Sequence, residues 1–351
     1  MANKTKTAIL SAFSAAALYG ISAPVAKILL SRIPPTLMAA LLYLGAGIGM
    51  LAVNIFRLAA RKSQLEAKIS KRELPYVIGM IVLDSAAPIF LMIGLTMTTA
   101  ESTSLLNNFE IVATSIIAGL VFKEAIGKRL WLAIGLITIA SMVLTIEDIG
   151  SLRLSLGSVF VLLAGICWGF ENNCTRMLSL KDPLQIVVIK GFGSGISSLA
   201  IALILRERSG DILYLVLALS LGFVAYGLSV FFYIKAQRDL GAARTSAFYA
   251  AAPFIGVLIS WILLREGITS TFMVALFIML IGSFLAITEN HRHLHRHEAI
   301  MHEHKHNHQD GHHTHTHEEA VAGEHSHVHT HEPIEHKHAH TPDLHHRHRH
   351  R

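Results

Sequence analysis

The sequence predicts an all-α membrane protein: ten transmembrane helices in two inverted five-helix repeats, followed by a disordered histidine-rich tail. Three observations predict it. Hydrophobic residues make up 52% of the 351-residue chain and charged residues 15%, with a mean hydropathy of +0.49. Apolar stretches of about 20 residues, each able to cross a ~30 Å hydrocarbon core as helix, recur from Thr7 to Glu289. All 23 histidines lie between His291 and His350.

The spans are expected at 7–31, 35–57, 75–97, 102–122, 128–147, 155–178, 184–206, 211–234, 242–264 and 270–289. They lack strand-type alternation, so helices must satisfy the backbone in lipid. The first follows Lys4 and Lys6, and "SAFSAAALYG" could pass for a secretory leader. Its apolar run continues past Gly20 to Ser31, which marks a retained helix. A cytoplasmic N-terminus puts sixteen Lys and Arg, from Lys4 to Arg244, on the inner side. Only Arg32, Arg153, Arg206, Arg208 and Arg265 then lie outside, the positive-inside asymmetry. Both termini are therefore expected in the cytoplasm, and the chain in the inner membrane of a bacterial cell.

These loops account for the net charge of +6, so no nucleic-acid partner is implied. Cys167 and Cys174 sit seven apart on one expected helix, roughly 10 Å along its axis, too far for a disulfide. No Walker sequence, zinc-protease motif or nucleophile–base pair is present, and "GFGSG" in the seventh span lacks the strand–turn–helix context of a nucleotide loop. Neither an enzyme nor a required cofactor is expected.

The chain repeats itself. "TSLLNNFEIVATSIIAGLVFKE" from Thr103 aligns without gaps on "TSAFYAAAPFIGVLISWILLRE" from Thr245, at an offset of 142. "LYGISAPVAK" from Leu18 matches "CWGFENNCTR" at an offset of 149, setting Tyr19-Gly20 on Trp168-Gly169 and Lys27 on Arg176. Five spans per repeat is an odd number, so the halves insert in opposite directions, a transporter architecture. The boundaries fall at 1–149 for the first repeat, 150–290 for the second and 291–351 for the tail. The Tyr/Trp-Gly and the two "K/R-E-x-I" ends resemble the EamA repeat of the drug/metabolite transporter superfamily over about residues 8–289. That resemblance implies a central cavity and transport by alternating access. It also implies structural roles for the repeat-ending Glu124 and Glu266.

Ionisable residues inside spans cost about 3 kcal/mol or more each, which marks Lys27, Asp84, Glu110, Glu171 and Lys190 for attention. Glu171 and Lys190 fall at similar depth on consecutive spans, as a structural or gating ion pair. Asp84 and Glu110 both fall in the middle third of the bilayer on neighbouring spans. Asn107 shares a helix face with Glu110, Asn108 adjoins it, and Pro88 frees the Asp84 carbonyl. Asp84, Glu110, Asn107 and Asn108 therefore form the candidate transport site, an oxygen-rich cluster that exchanges protons for a cation; the alternative is that one acid is simply protonated or pairs with Lys27. Ile111 takes the place that Pro253 holds in the second half.

The tail's alternating H-x-H, densest at His304, His306, His308, His312, His313, His315 and His317, suits nickel, cobalt, zinc or copper ions. Its composition would not bury enough apolar surface to fold. Transporter core and tail together resemble a nickel/cobalt resistance exporter of the CnrT type. The first expectation is efflux of divalent metal, nickel or cobalt before zinc, by proton antiport. The alternative is export of a small metabolite or amino acid, with the tail only buffering or sensing metal. The expected partners are the lipid bilayer, divalent metal ions and protons, and a homodimer is allowed.

Overall fold

A computed structural model describes residues 2–59, 69–121, 127–148, 153–178, 181–240, 249–265, 267 and 269–287. In the tail it describes the backbone of 292–296, 300–306, 325–331 and 335–339. The first half comprises α1 (Ala2–Gly20), α2 (Ser22–Leu29), α3 (Pro35–Ala59), α4 (Leu74–Met97), α5 (Ala100–Leu106), α6 (Phe109–Val121) and α7 (Lys128–Thr145). The second comprises α8 (Leu156–Leu178), α9 (Pro183–Ile204), α10 (Ile212–Leu221), a π-helical turn (Gly222–Leu228), α11 (Ser229–Leu240), α12 (Ala252–Leu264) and α13 (Ser270–Ile287). A two-stranded ladder, β1 (Ile146–Asp148) with β2 (Arg153–Leu154), joins the halves.

Among the described residues, seven helical stretches are long and apolar enough to cross a membrane: Lys6–Leu29, Pro35–Ala59, Lys71–Met97, Ala100–Val121, Lys128–Thr145, Pro183–Ile204 and Ile212–Ala236. Ala252–Leu264 and Ser270–Ala286 are shorter apolar helices. The sixth expected span is the 23-residue α8. Phe56, Leu120 and Ile204 are 78%, 77% and 79% exposed, an apolar outer surface that only lipid would cover favourably.

Local chemistry places the helix ends. Ser70 and Glu73 form a capping box before α4. Asp182 caps α9, its carboxylate accepting from the Leu184 N–H, with Pro183 at the first helical position. Asp211 caps α10 through the Tyr214 N–H, and Thr99 caps α5 through the Ser102 N–H.

Two spans are broken within their length. The first breaks at Ile21, between α1 and α2. Pro24 has no N–H to return to the Gly20 carbonyl, so the helical ladder opens there. The fourth breaks at Asn107–Asn108, between α5 and α6. The Asn108 N–H donates to the Leu105 carbonyl, three residues back, so the Ser104 carbonyl drops out of the α-helical ladder. In the second half, Ala250 and Ala251 form the turn before α12. Proline at 253 accompanies the break in one repeat; a pair of asparagines makes it in the other, where Ile111 replaces the proline.

Packing repeats the sequence's internal symmetry. A Cβ on Gly20 would stand 2.9 Å from the Ile255 Cβ, and one on Gly169 would stand 2.6 Å from the Ala113 Cβ. Both pairs are repeat equivalents, so α1 meets α12 as α8 meets α6. At the centre α3 crosses α9, where a Cβ on Gly191 would lie 2.5 Å from the Gly47 Cα. Only glycine allows that approach.

The tail's described backbone pairs Arg292–Arg296 with Glu335–Ala339, and Ile300–His306 with His325–His331, both antiparallel. The physical reason is periodicity: H-x-H alternation has the two-residue period of a strand. His308, His312, His313, His315 and His317 lie outside the described residues, as do Glu124 and Glu266.

A charged cluster buried between the two halves

The centre of the molecule is polar. Lys190 on α9 places its Nζ 3.0 Å from Asp84 Oδ2 on α4 and 3.0 Å from Glu171 Oε1 on α8. Asp84 is fully buried, and Glu171 and Lys190 are 2% and 8% exposed. The Tyr43 hydroxyl of α3 donates to the other Asp84 oxygen at 2.8 Å. Thr175, one turn after Glu171, donates its hydroxyl to Glu171 Oε1. Local sequence sets this up: Gly191, next to Lys190, lets α9 close on α3, and Gly94 of α4 lies against Gly157 of α8. With α3, α4, α8 and α9 so close, one lysine spans two carboxylates.

Asp84, expected in an oxygen-rich cluster with Glu110, Asn107 and Asn108, has Lys190 as its ion-pair partner. Among the described residues no hydrogen bond or ion pair joins Asp84 to Glu110. Depth along a helix can be counted from sequence, but rotation about its axis cannot, and rotation turns Asp84 toward α9.

Glu110, at the start of α6, accepts a 2.5 Å hydrogen bond from Asn172 Nδ2 of α8. The same amide reaches Thr114 Oγ1 at 3.3 Å, and Asn173 donates to the Gly169 carbonyl at 2.8 Å. Sequence reasoning missed Tyr43, Asn172, Asn173 and Thr175. The signal for the asparagines was present: two consecutive amides in an otherwise apolar span, in "FENNC" as in "LNNFE". Lys27 does not reach either acid. Its Nζ donates to the Leu95 and Thr98 carbonyls at 2.5 and 2.6 Å, at the C-terminal end of α4, where a cation complements the helix dipole.

Aromatic rings from both halves surround the charged centre. Tyr19 stands 6.4 Å from its repeat equivalent Trp168, 5.7 Å from Tyr226 and 5.6 Å from Tyr249, and Tyr43 stands 5.4 Å from Tyr226. Glu110 is within electrostatic reach of Tyr19 and Tyr249. Asn107 is 6% exposed and Asn108 1%; among the described residues, Asn107 Oδ1 and both amide atoms of Asn108 have no hydrogen-bond partner. Among the described residues no group of three or more His, Cys, Asp or Glu is arranged to hold a metal ion. With one lysine among three buried acids, the arrangement carries surplus negative charge that can attract a cation.

The model of the EamA-like transporter family matches residues 6–146 and 155–288, once per half. An uncharacterized transporter of Methanothermobacter thermautotrophicus is 27% identical over 290 residues, covering 79% of this chain and 84% of that protein. The uncharacterized transporter YyaM of Bacillus subtilis is 24% identical over 224 residues, covering 60% of this chain and 71% of that protein. One crystal structure superposes with a TM-score of 0.59 at 15% identity, over 80% of this chain and 95% of its own, a likeness of fold alone.

Proposed function

The chain belongs to the EamA-like transporter family, a family of multi-pass membrane transporters, and on that premise we propose that it exports a small amine-bearing metabolite, such as an amino acid, by proton antiport. The observation that carries this is the charge balance of the buried centre. Asp84, Glu110 and Glu171 face a single lysine, Lys190. Two negative charges in a low-dielectric interior need neutralising, by protons or by a cationic group of the solute. When either can neutralise the same surplus charge, solute and proton displace one another, and that competition couples their movements. The Tyr19, Trp168, Tyr226 and Tyr249 rings add faces that attract a desolvated ammonium.

Transport then alternates between the two membrane faces by movement of one repeat against the other. Lys190 holds Asp84 and Glu171 together between turnovers. Protonation of Asp84 weakens its pair with the lysine and lets α4 separate from α9. On this reading the protein lies in the bacterial inner membrane with both termini in the cytoplasm.

A second reading, export of nickel or cobalt and then zinc, is favoured by one observation: all 23 histidines sit in the tail. Imidazoles on a single segment would collect divalent ions near the entrance. The centre suits this cargo less, because Lys190 already occupies the position on Asp84 that a dication would need.

One experiment separates the two. Proteoliposomes containing the protein and a pH dye are challenged with an amino-acid panel, and separately with nickel, cobalt and zinc. Amino-acid-driven proton movement supports the first reading. Movement driven by metals alone replaces it with the second.

A further inference from the structure

A small cleft lies where the broken first and fourth spans meet the start of α12, lined by Tyr19, Gly20, Ser22, Ser104, Asn107 and Pro253 among others. It has room for about one water molecule. Its wall carries two unpartnered oxygen atoms. Ser104 is 2% exposed and Asn107 6%, and among the described residues neither Ser104 Oγ nor Asn107 Oδ1 has a hydrogen-bond partner. The break at Asn107–Asn108 also withdraws the Ser104 carbonyl from the helical ladder. Gly256 keeps the place open: a Cβ there would stand 2.6 Å from Ser104 Oγ and 3.0 Å from the Gly20 carbonyl oxygen.

Buried polar atoms are almost always paired, so two orphans on residues lining one cleft point to a missing partner. That partner must be a donor, because the orphans are acceptors or, as hydroxyls, can act as acceptors. It must be compact, and it gains from positive charge, since the Tyr19 ring borders the space and no cationic side chain does. A carboxylate would find no cation there. We propose that the cleft receives the primary ammonium head of the transported solute. This rests on the proposed amine transport and assigns its recognition to neutral oxygens, with Glu110, three residues beyond Asn107, supplying charge from nearby. An –NH3+ group is close to a water molecule in size and offers three donors; a trimethylammonium offers none and is too large.

The test uses the full-length protein in lipid nanodiscs, with methylammonium chloride as probe and tetramethylammonium chloride as control at matched ionic strength. Methylammonium should raise the Tm saturably, and tetramethylammonium should not. Ser104→Ala and Asn107→Leu should each weaken the methylammonium response at least tenfold, whereas Asn107→Asp should strengthen it. The Asp variant and the mild Ser104→Ala change keep the test open if Asn107→Leu fails to fold. Equal stabilisation by both cations, or undiminished responses in both Ser104→Ala and Asn107→Leu, would overturn the assignment. So would amino-acid-driven proton movement in proteoliposomes without any methylammonium binding, which would leave the proposed transport intact. Loss of both responses in the wild-type protein would overturn both.

Discussion

Lys190 and Asp84 lie 3.0 Å apart across the two halves of the molecule, and the same lysine nitrogen lies 3.0 Å from Glu171. One cation bridges two acids, so the three residues should not respond alike to mutation. Lys190→Met strands two neighbouring carboxylates in the interior. Glu171→Gln leaves the lysine matched to a single acid, Asp84. Breaking a buried pair costs about 3–5 kcal/mol, so Lys190→Met should lower the Tm in detergent by much more than Glu171→Gln. The double variant should be milder than the sum of the two. Equal Tm losses, or strict additivity, would show that Lys190 does not serve both acids.

Glu110→Gln should fold normally, because a glutamine oxygen still accepts from Asn172 Nδ2. It removes the charge of the acid that is not in contact with Lys190, so solute-driven proton movement in vesicles should fall to background. Asn172→Ala keeps the charge and removes a hydrogen bond to it, a term of about 1.5–3 kcal/mol. Solute affinity should then change by roughly 10- to 100-fold, while proton coupling survives. Full proton movement in Glu110→Gln would remove this residue from the pathway.

The crossing of α3 and α9 makes a contrast within one residue type. Gly191→Ala puts a methyl group against the Gly47 backbone and should cost about 1–3 kcal/mol through overpacking. Gly135 in α7 has nothing within 4 Å of where a Cβ would stand. Gly135→Ala should therefore be neutral or stabilising by up to about 1 kcal/mol through helix propensity. Thermal melts of the two variants side by side test this, and a tolerant Gly191→Ala would mean that the helices do not meet as described.

Deleting residues 291–351 removes every histidine and should abolish nickel binding in equilibrium dialysis. Amino-acid-driven proton movement in vesicles should continue at the wild-type maximum. If the truncated protein inserts stably but moves no solute, the tail belongs to the transport path itself.

The sequence by itself determined the membrane location, the two-repeat plan and the set of charged residues worth inspecting. Each follows from one-dimensional properties: the length of apolar runs, an offset that recurs, and the cost of a charge in lipid. Asp84, Glu110, Glu171 and Lys190 could be named because an apolar helix makes an ionisable residue conspicuous. The break beside Asn107 was less legible, since the proline that marks the other repeat is absent and two amides act instead. Only the tertiary structure decided the partners of Asp84 and Glu110. Asp84 turns to Lys190, Glu110 to Asn172, and Tyr43 completes the Asp84 site from a third helix. Partner choice depends on how each helix is rotated and on where glycines let the backbones approach, and close packing fixes both only when all the helices are in place.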